Sequence, residues 1–409
     1  MRNYPDWIAA YLDYTKYSEA PTKFHFWTAV SVLAGALRRR VWIEQIYFQW
    51  VPNFYIIFVS PPGIISKSTT ADIGMRLLRN VPGIKFGPNS LTWQALTHSL
   101  AESTEGIEFQ DTGEIIPMSA VTIVASELGS LIDFSNREMI DVFVDLWDGR
   151  IGQWHRQTKT QGEDKIENPF INILGCTTPS WIRENFSRYL LGGGFASRCI
   201  FVYGSEKRHL VAYPGLAAPA GIKEQALKLT QDLEHIAMLQ GAYSLTPEAV
   251  AWGEKWYERH YKHYLDTDPN DEGMTSFLAR KQTQIHKLGL VIAASRRDER
   301  KILPEDLELA EKMVSTIELE LHEIFGRVAE RDEVRDAIAI VQILAKVKRI
   351  SKQQLYRSVF NRMSASQFDL ALSSLIHANR AKITQEGVDL IITYVPGDKD
   401  GKAPSASVS

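Results

Sequence analysis

Residues 54–69 read Phe-Tyr-Ile-Ile-Phe-Val-Ser-Pro-Pro-Gly-Ile-Ile-Ser-Lys-Ser-Thr. The first six form an unbroken apolar run of strand length, the pattern of a parallel strand covered on both faces. Pro61, Pro62 and Gly63 stop that run, since proline lacks a backbone donor and glycine admits turn geometries. From Thr69 the chain resumes at helical spacing, Thr-Thr-Ala-Asp-Ile-Gly-Met-Arg-Leu-Leu. A buried strand, a short loop and a helix opening at Lys67-Ser68 therefore follow one another.

The neighbouring sequence extends this pattern. Further buried strands are expected over 120–125 (AVTIVA), 170–176 (FINILGC) and 199–203 (CIFVY), separated by helical stretches. That alternation predicts an α/β domain built on a parallel sheet. Residues 1–50 read as helix-rich, with a buried helix from Ala29 to Leu37, the basic cluster Arg38-Arg39-Arg40, and a short strand after it. After Tyr203 the strands are expected to stop: 207–219 reads as a linker and 221–326 as helices. A boundary is expected near Glu330. Beyond it Val334, Ile338, Val341 and Leu344 share one helix face. Ser351 with Gln354, and Ser364 with Gln367, have capping-box spacing. The alternating run at 388–395 completes three helices followed by a hairpin, the winged-helix order, and 397–409 reads as a disordered polar tail.

Composition narrows the class. Of 409 residues 44% are hydrophobic, enough for substantial cores, and the formal charge of -3 gives no global basic field. Any nucleic-acid contact must come from local basic segments. Cys176 and Cys199 are the two cysteines, so no disulfide framework is signalled and a reducing cytoplasm fits. The N-terminus lacks a signal-peptide apolar region, and the longest apolar runs are too short to span a bilayer. These features predict a soluble, cytoplasmic protein.

The loop before Lys67 suits phosphate. Unpaired N–H groups and the dipole at a helix N-terminus favour an anion. A lysine adds charge at the terminal phosphates, and the next hydroxyl, Ser68, can ligate magnesium. In the pattern G-x-x-x-x-G-K-[ST], Pro61 and Ser66 stand where glycines are usual. Gly63, Ser66, Lys67, Ser68 and Thr69 are the candidate nucleotide contacts, against an ordinary strand–helix turn that ends in Lys-Ser. Strand 120–125 runs into Ser126-Glu127, which puts one carboxylate at a strand end, where it could position water. A surface glutamate opening a helix is the plainer reading. Thr177 and Thr178 end the next strand and would sense a γ-phosphate or simply form a Thr-Pro turn. Arg198 precedes the last strand and would act as an arginine finger or as half of a structural ion pair. His25, His98 and His286 have no ligand-spaced partners and read as packing or surface residues.

In the order of these elements the chain resembles an AAA+ P-loop ATPase of helicase type, closest in layout to the minichromosome-maintenance branch and to helicase-like ATPases encoded beside primases by phages and plasmids. The resemblance covers residues 50–320 by motif order. It implies an AAA+ core with a parallel sheet, a helical lid over 206–328 and a C-terminal winged helix over 329–396. It assigns Lys67 and Ser68 to Walker A, Glu127 to Walker B, Thr177 or Thr178 to sensor 1, and Ser197-Arg198 to the finger. Arg280 takes the sensor-2 position, with Lys287 seven residues on. ATP and Mg2+ are the implied cofactors, and a homo-oligomeric ring, a hexamer, encircling single-stranded DNA is the implied assembly. DNA-facing hairpins would fall at 108–117 and at 152–169; in the second, Arg156 and Lys159 would touch backbone phosphates, or the segment is a solvated surface hairpin with the acidic Glu163-Asp164 nearby. Two departures from the family are the lost Walker A glycines and Ser126 in place of an aspartate. The winged helix is equally readable as a protein contact, because its third helix carries Asp369 and no Lys or Arg until Arg380; Arg357, Arg362 and Lys382 are the basic residues nearby.

These expectations leave three functions: a DNA motor of a phage, plasmid or other mobile element, an ATP-dependent loader or remodelling switch, and a weakly hydrolysing replication scaffold.

Overall fold

The computed structural model describes residues 2–88, 92–109, 113–154, 165–186, 188–192, 194–269, 271–361, 363–387 and 389–396, without the side chains of 322 and 326–335. Strands in chain order begin with β1 (Val41–Glu44), β2 (Gln49–Trp50), β3 (Tyr55–Val59), β4 (Thr104–Glu108) and β5 (Ile115–Ala125). Next come β6 (Gln153–Trp154), β7 (Ile166–Glu167), β8 (Phe170–Thr177) and β9 (Cys199–Tyr203). The last are β10 (Gly241–Leu245), β11 (Lys301–Ile302), β12 (Arg349–Ser351), β13 (Ala381–Glu386) and β14 (Asp389–Tyr394).

The chain divides into two compact units, 1–325 and 326–409. The first is organised by a five-stranded sheet in the order β4-β5-β8-β3-β9. β5, β8, β3 and β9 run parallel, and β4 is antiparallel at the edge. The mixed α/β class with parallel strands is therefore as the sequence predicts. Every residue of β3 and of β8 is buried. This explains their unbroken apolar sequences: helices cover both faces, so neither face can alternate with polar residues. The helix Thr22–Leu37 supplies one cover. It is buried along nearly its whole length and holds Asn172 of β8 through the Ser31 carbonyl, 2.9 Å from the Asn172 amide.

The expectation that strands end at Tyr203 is wrong. β10 and β11 join β1 and β2 in a second sheet, ordered β11-β10-β1-β2. β10 pairs in parallel with β1, Val41 opposite Gly241. The strand Gly-Ala-Tyr-Ser-Leu is only five residues long and lies between helices Ile222–Ala237 and Pro247–Asp266. So short a run between strong helical patterns carries little period-2 signal. Helix Glu272–Arg296, expected to belong to a lid, is buried continuously from Gln284 to Ser295 and is a core element of the unit.

The second unit carries helices Lys352–Val359 and Ala365–His377 and the antiparallel sheet β12-β14-β13. At Ser364 both halves of a capping box form, and at Ser351 the serine accepts from the Gln354 N–H. Ile340, Leu344, Leu355, Phe368, Leu372 and Ile392 make its core. β12 is an addition to the expected helices and hairpin. Residues 397–409, expected to be a disordered tail, lie outside the described residues, as does Arg362.

Two sites test this packing. A Cβ on Gly74 would stand 2.4 Å from the Thr28 methyl and 2.9 Å from the Val32 methyl, where helix Lys67–Arg79 crosses helix Thr22–Leu37. Gly74→Val is predicted to cost about 1–3 kcal/mol in urea unfolding, the usual cost of overpacking. His25 is fully buried with no hydrogen-bond partner on either nitrogen among the described residues, and burial pulls it down to about 3 from an ordinary 6.5. The unfolded chain then binds a proton that the folded chain refuses. Stability should fall as pH drops from 6.5 toward 3, by up to about 1.4 kcal/mol per unit. His25→Leu should flatten that part of the profile.

Candidate nucleotide site

β3 ends at Val59, and the helix Lys67–Arg79 begins eight residues later, with Ser66 as its N-cap. The Ser66 side chain makes no capping bond, and its backbone sits at φ -76. A serine is therefore unstrained at the position where the phosphate-loop pattern has glycine. The left-handed residue of the loop is Gly63, at φ 75 with nothing within 4 Å of where a Cβ would stand. Only glycine occupies that region at little cost. The Lys67 ammonium turns back into the loop and donates to the Ser60 carbonyl at 2.9 Å. Partial burial lowers its pKa, and the adjoining Cys176 thiol is itself pushed up to about 12 by burial. Ser68 and Thr69 are exposed in the first turn, and neither side chain bonds another described residue.

Strand register brings the other residues to the same edge. Val59 lies opposite Thr177 of β8, and the Ser60 N–H points to the Thr177 carbonyl at 3.4 Å. Ala125 of β5 lies opposite Gly175, so Glu127 stands level with Thr177. Two interstrand steps separate Glu127 from the β3 tip, about 10 Å. Glu127 is exposed and caps the short helix Leu128–Leu131 without a side-chain bond. Lys67, Ser68, Thr177 and Glu127 thus share the carboxyl edge of the sheet, the place where open α/β sheets bind ligands. Thr178 is otherwise engaged: its hydroxyl accepts from the Trp181 N–H at 3.1 Å and caps helix Pro179–Asn185. Thr177 is buried at the end of β8, and its side chain bonds no other described residue.

A cavity of about 310 Å³ adjoins the loop. Tyr14, Tyr17, Ile73 and Ile222 line it together with Ile64, Ile65, Ser66 and Thr69 of the loop region, and Arg76, Glu19 and Lys207 stand at its polar side. This cavity is not legible in the sequence, because residues 14–20 and 207–222 reach the loop only through the tertiary fold.

Arg198 and Arg280 lie elsewhere. Arg198 precedes β9, whose first residue is opposite Tyr55 at the start of β3. Four strand steps separate that end from Val59, about 13 Å. Arg198 is buried and grips Asp148, with Nη2 at 2.8 and 2.9 Å from the two carboxylate oxygens. Its Nη1 donates to the Gly194 carbonyl at 2.8 Å. Arg280 lies over the Trp147 ring at 6.0 Å, Arg198 at 5.5 Å, and the Lys287 ammonium at 3.5 Å. Lys287 is fully buried, donates to the Asn53 side chain at 2.7 Å, and is held well below the usual lysine range by that burial. Within one chain these residues therefore form a separate cationic cluster around a single carboxylate.

Among the described residues no group of His, Cys, Asp and Glu is arranged to hold a metal by itself. The exposed Ser68 hydroxyl is the side chain of the loop that would reach a magnesium ion taking its other ligands from phosphate and water, as that ion commonly does, with the exposed Glu127 carboxylate on the same sheet edge. Arg156 and Lys159 fall outside the described residues. Their flanks form the antiparallel pair β6–β7, Gln153 opposite Glu167, so 152–169 does start and end as a hairpin. The other expected hairpin, 108–117, joins β4 to β5. Among the described residues no helix is long and apolar enough to cross a membrane. The chain matches no family model and no curated protein.

The cluster at Trp147 yields an asymmetric prediction. Asp148→Ala leaves three buried or half-buried cations without a carboxylate and should cost about 3 kcal/mol, as breaking a buried pair does. Arg198→Met keeps volume and relieves cation crowding, so it should cost clearly less. Urea unfolding of both variants measures the difference.

Proposed function

We propose that the chain is an ATP-hydrolysing DNA motor that works as a homo-oligomeric ring. The observation that carries this reading is the convergence of Lys67, Ser68, Thr177 and Glu127 on one sheet edge from three separate strands. Helix N–H groups and the Lys67 ammonium would hold the β- and γ-phosphates. On nucleotide entry Lys67 exchanges the Ser60 carbonyl for a phosphate oxygen. The loop is already folded around that lysine, so little ordering remains to be done. Ser68, with Glu127 beyond it, would hold the magnesium, which supplies charge neutralisation at the phosphates. Glu127 would accept the proton of the attacking water, and Thr177 would orient that water. The cavity flanked by Tyr14, Tyr17 and Ile73 is placed to take the nucleoside.

The cationic cluster suits a role across a subunit boundary. Arg198 and Arg280 lie too far from their own Lys67 to touch the same phosphate. Three cations around Asp148 leave positive charge in excess, which a neighbouring subunit's γ-phosphate would neutralise. Arg198 would then trade one of its Asp148 bonds for phosphate, as an arginine finger supplied in trans.

The absence of a carboxylate at Ser126 favours a second reading, in which the chain binds ATP but turns it over slowly and serves as a switch or as a scaffold for replication proteins. Kinetics separate the two. For the motor, ATPase activity should rise with single-stranded DNA and accompany duplex unwinding. Glu127→Gln should lower kcat by about 10²–10⁴-fold while ATP still binds. ATPase indifferent to DNA, with no unwinding, would remove the motor and leave the switch.

A further inference from the structure

The second sheet forms a groove that the proposed ATP chemistry does not use. Period-2 alternation sends Val41, Ile43, Tyr243 and Ile302 into the core. The opposite face presents Trp42, Ala242, Ser244 and Lys301, of which Ala242, Ser244 and Lys301 are exposed and Trp42 half-buried. Phe109, Glu114 and Ile116, from the β4–β5 hairpin, form the facing wall. The groove holds about 620 Å³, twice the cavity beside Lys67.

Trp42 is fixed in place. Its ring packs edge-on against Phe109 at 5.7 Å, and its indole N–H donates to Glu44 at 3.1 Å. Glu44 also accepts from Gln49 at 3.0 Å, which holds the carboxylate in turn. Beside the aromatic floor, Ala242 and Ser244 are small, so a flat ring can lie across the sheet. The far side is cationic. Arg300 lies against Gly241, which stands at φ 106, and donates to the Gln240 carbonyl at 3.0 Å. A side chain at position 241 would collide with that guanidinium at 2.3 Å, so glycine there is what lets Arg300 approach. Lys301 is exposed, and its ammonium has no partner among the described residues. Trp42 is opposite Ala242, and Ser244 is opposite Lys301. Two interstrand spacings and a two-residue offset put the Trp42 and Lys301 Cα atoms about 12 Å apart. That span accommodates a base on the indole, a sugar over Ala242 and Ser244, and a phosphate at the lysine.

We infer that this groove binds a nucleotide unit of single-stranded nucleic acid, its base stacked on Trp42 and its phosphate paired with Lys301 and Arg300. Stacking on an aromatic platform with flanking cations is how single strands are held without sequence preference. Glu44 and Glu114 at the rim offset much of the local positive charge. Stacking therefore dominates, and the salt dependence is that of two phosphate contacts. The choice of a strand as occupant rests on the DNA-motor reading, but binding here needs no ATP.

The test is fluorescence anisotropy of a labelled oligothymidylate titrated with the full chain, without ATP, over a series of salt concentrations. Trp42→Leu should weaken binding about tenfold. Lys301→Ala should lower the slope of log K against log salt by about 0.7. Displacement by thymidine 5′-monophosphate would identify a free nucleotide as an occupant of the same base-and-phosphate site, and failure to displace identifies the strand. Should Trp42→Leu not fold, photocrosslinking of wild type to a 5-iodouracil oligonucleotide decides, with adducts expected on the peptides carrying Trp42 or Phe109. Unchanged affinity and slope in folded variants, or adducts mapping only elsewhere, would overturn the inference. ATPase assays on the same samples keep the two readings apart: lost ATPase with retained adducts sinks the motor alone, and the reverse sinks the groove alone.

Discussion

The architecture of the first unit depends on β3 being buried between β8 and β9. Its five residues have no solvent-facing side, and each is paired in register with both neighbours. A one-residue slip of β3 against β8 would reverse which face every side chain addresses. It would also separate Ser60 and Lys67 from Thr177. The in-register pairing of Val59 with Thr177 therefore decides more than strand order. It sets the depth at which the Lys67 loop leaves the sheet and which polar residues of other strands emerge beside it.

The same strand separates two charged regions. At its carboxyl end Lys67 is half-buried and, among the described residues, donates to the Ser60 carbonyl, a neutral acceptor that a charged phosphate oxygen would outcompete. At its amino end Asp148 is surrounded by Arg198, Arg280 and Lys287, and the Trp147 ring takes part of the charge through its π face. In the proposed ring a nucleotide would lie between the two regions, so the proposed assembly and the proposed chemistry depend on each other.

Much of the parallel sheet was legible because buried strands leave the strongest sequence signal. Phe54–Val59, 170–176 and 199–203 were each read to within a residue or two of β3, β8 and β9. The loop residues were legible because their chemistry is local. The insertion of β8 between β3 and β5 was not legible, since nothing in a strand's own sequence names its neighbour. β10 was missed because Gly-Ala-Tyr-Ser-Leu is neither a continuous apolar run nor a clear apolar–polar alternation, and β11 because two residues carry no period. The position of Arg198 shows a different limit. Its motif spacing was read as a finger or an ion pair, and the pairing with Asp148, 50 residues away, exists only in three dimensions. Thr177 and Thr178 were indistinguishable in sequence, and capping geometry separated them.

The missed strands matter because they build a second face with its own chemistry. That sheet joins β1 and β2 of the N-terminal segment to β10 and β11, far apart in sequence. The central claim, however, is the phosphate grip at Lys67, and calorimetric titration of Mg·ATP into wild type and Lys67→Ala tests it most directly. Wild type should bind saturably and the variant should lose about ten- to hundredfold in affinity, the worth of hydrogen bonds to a charged group. Equal affinity in the two proteins, or no binding by a folded wild type, would contradict it.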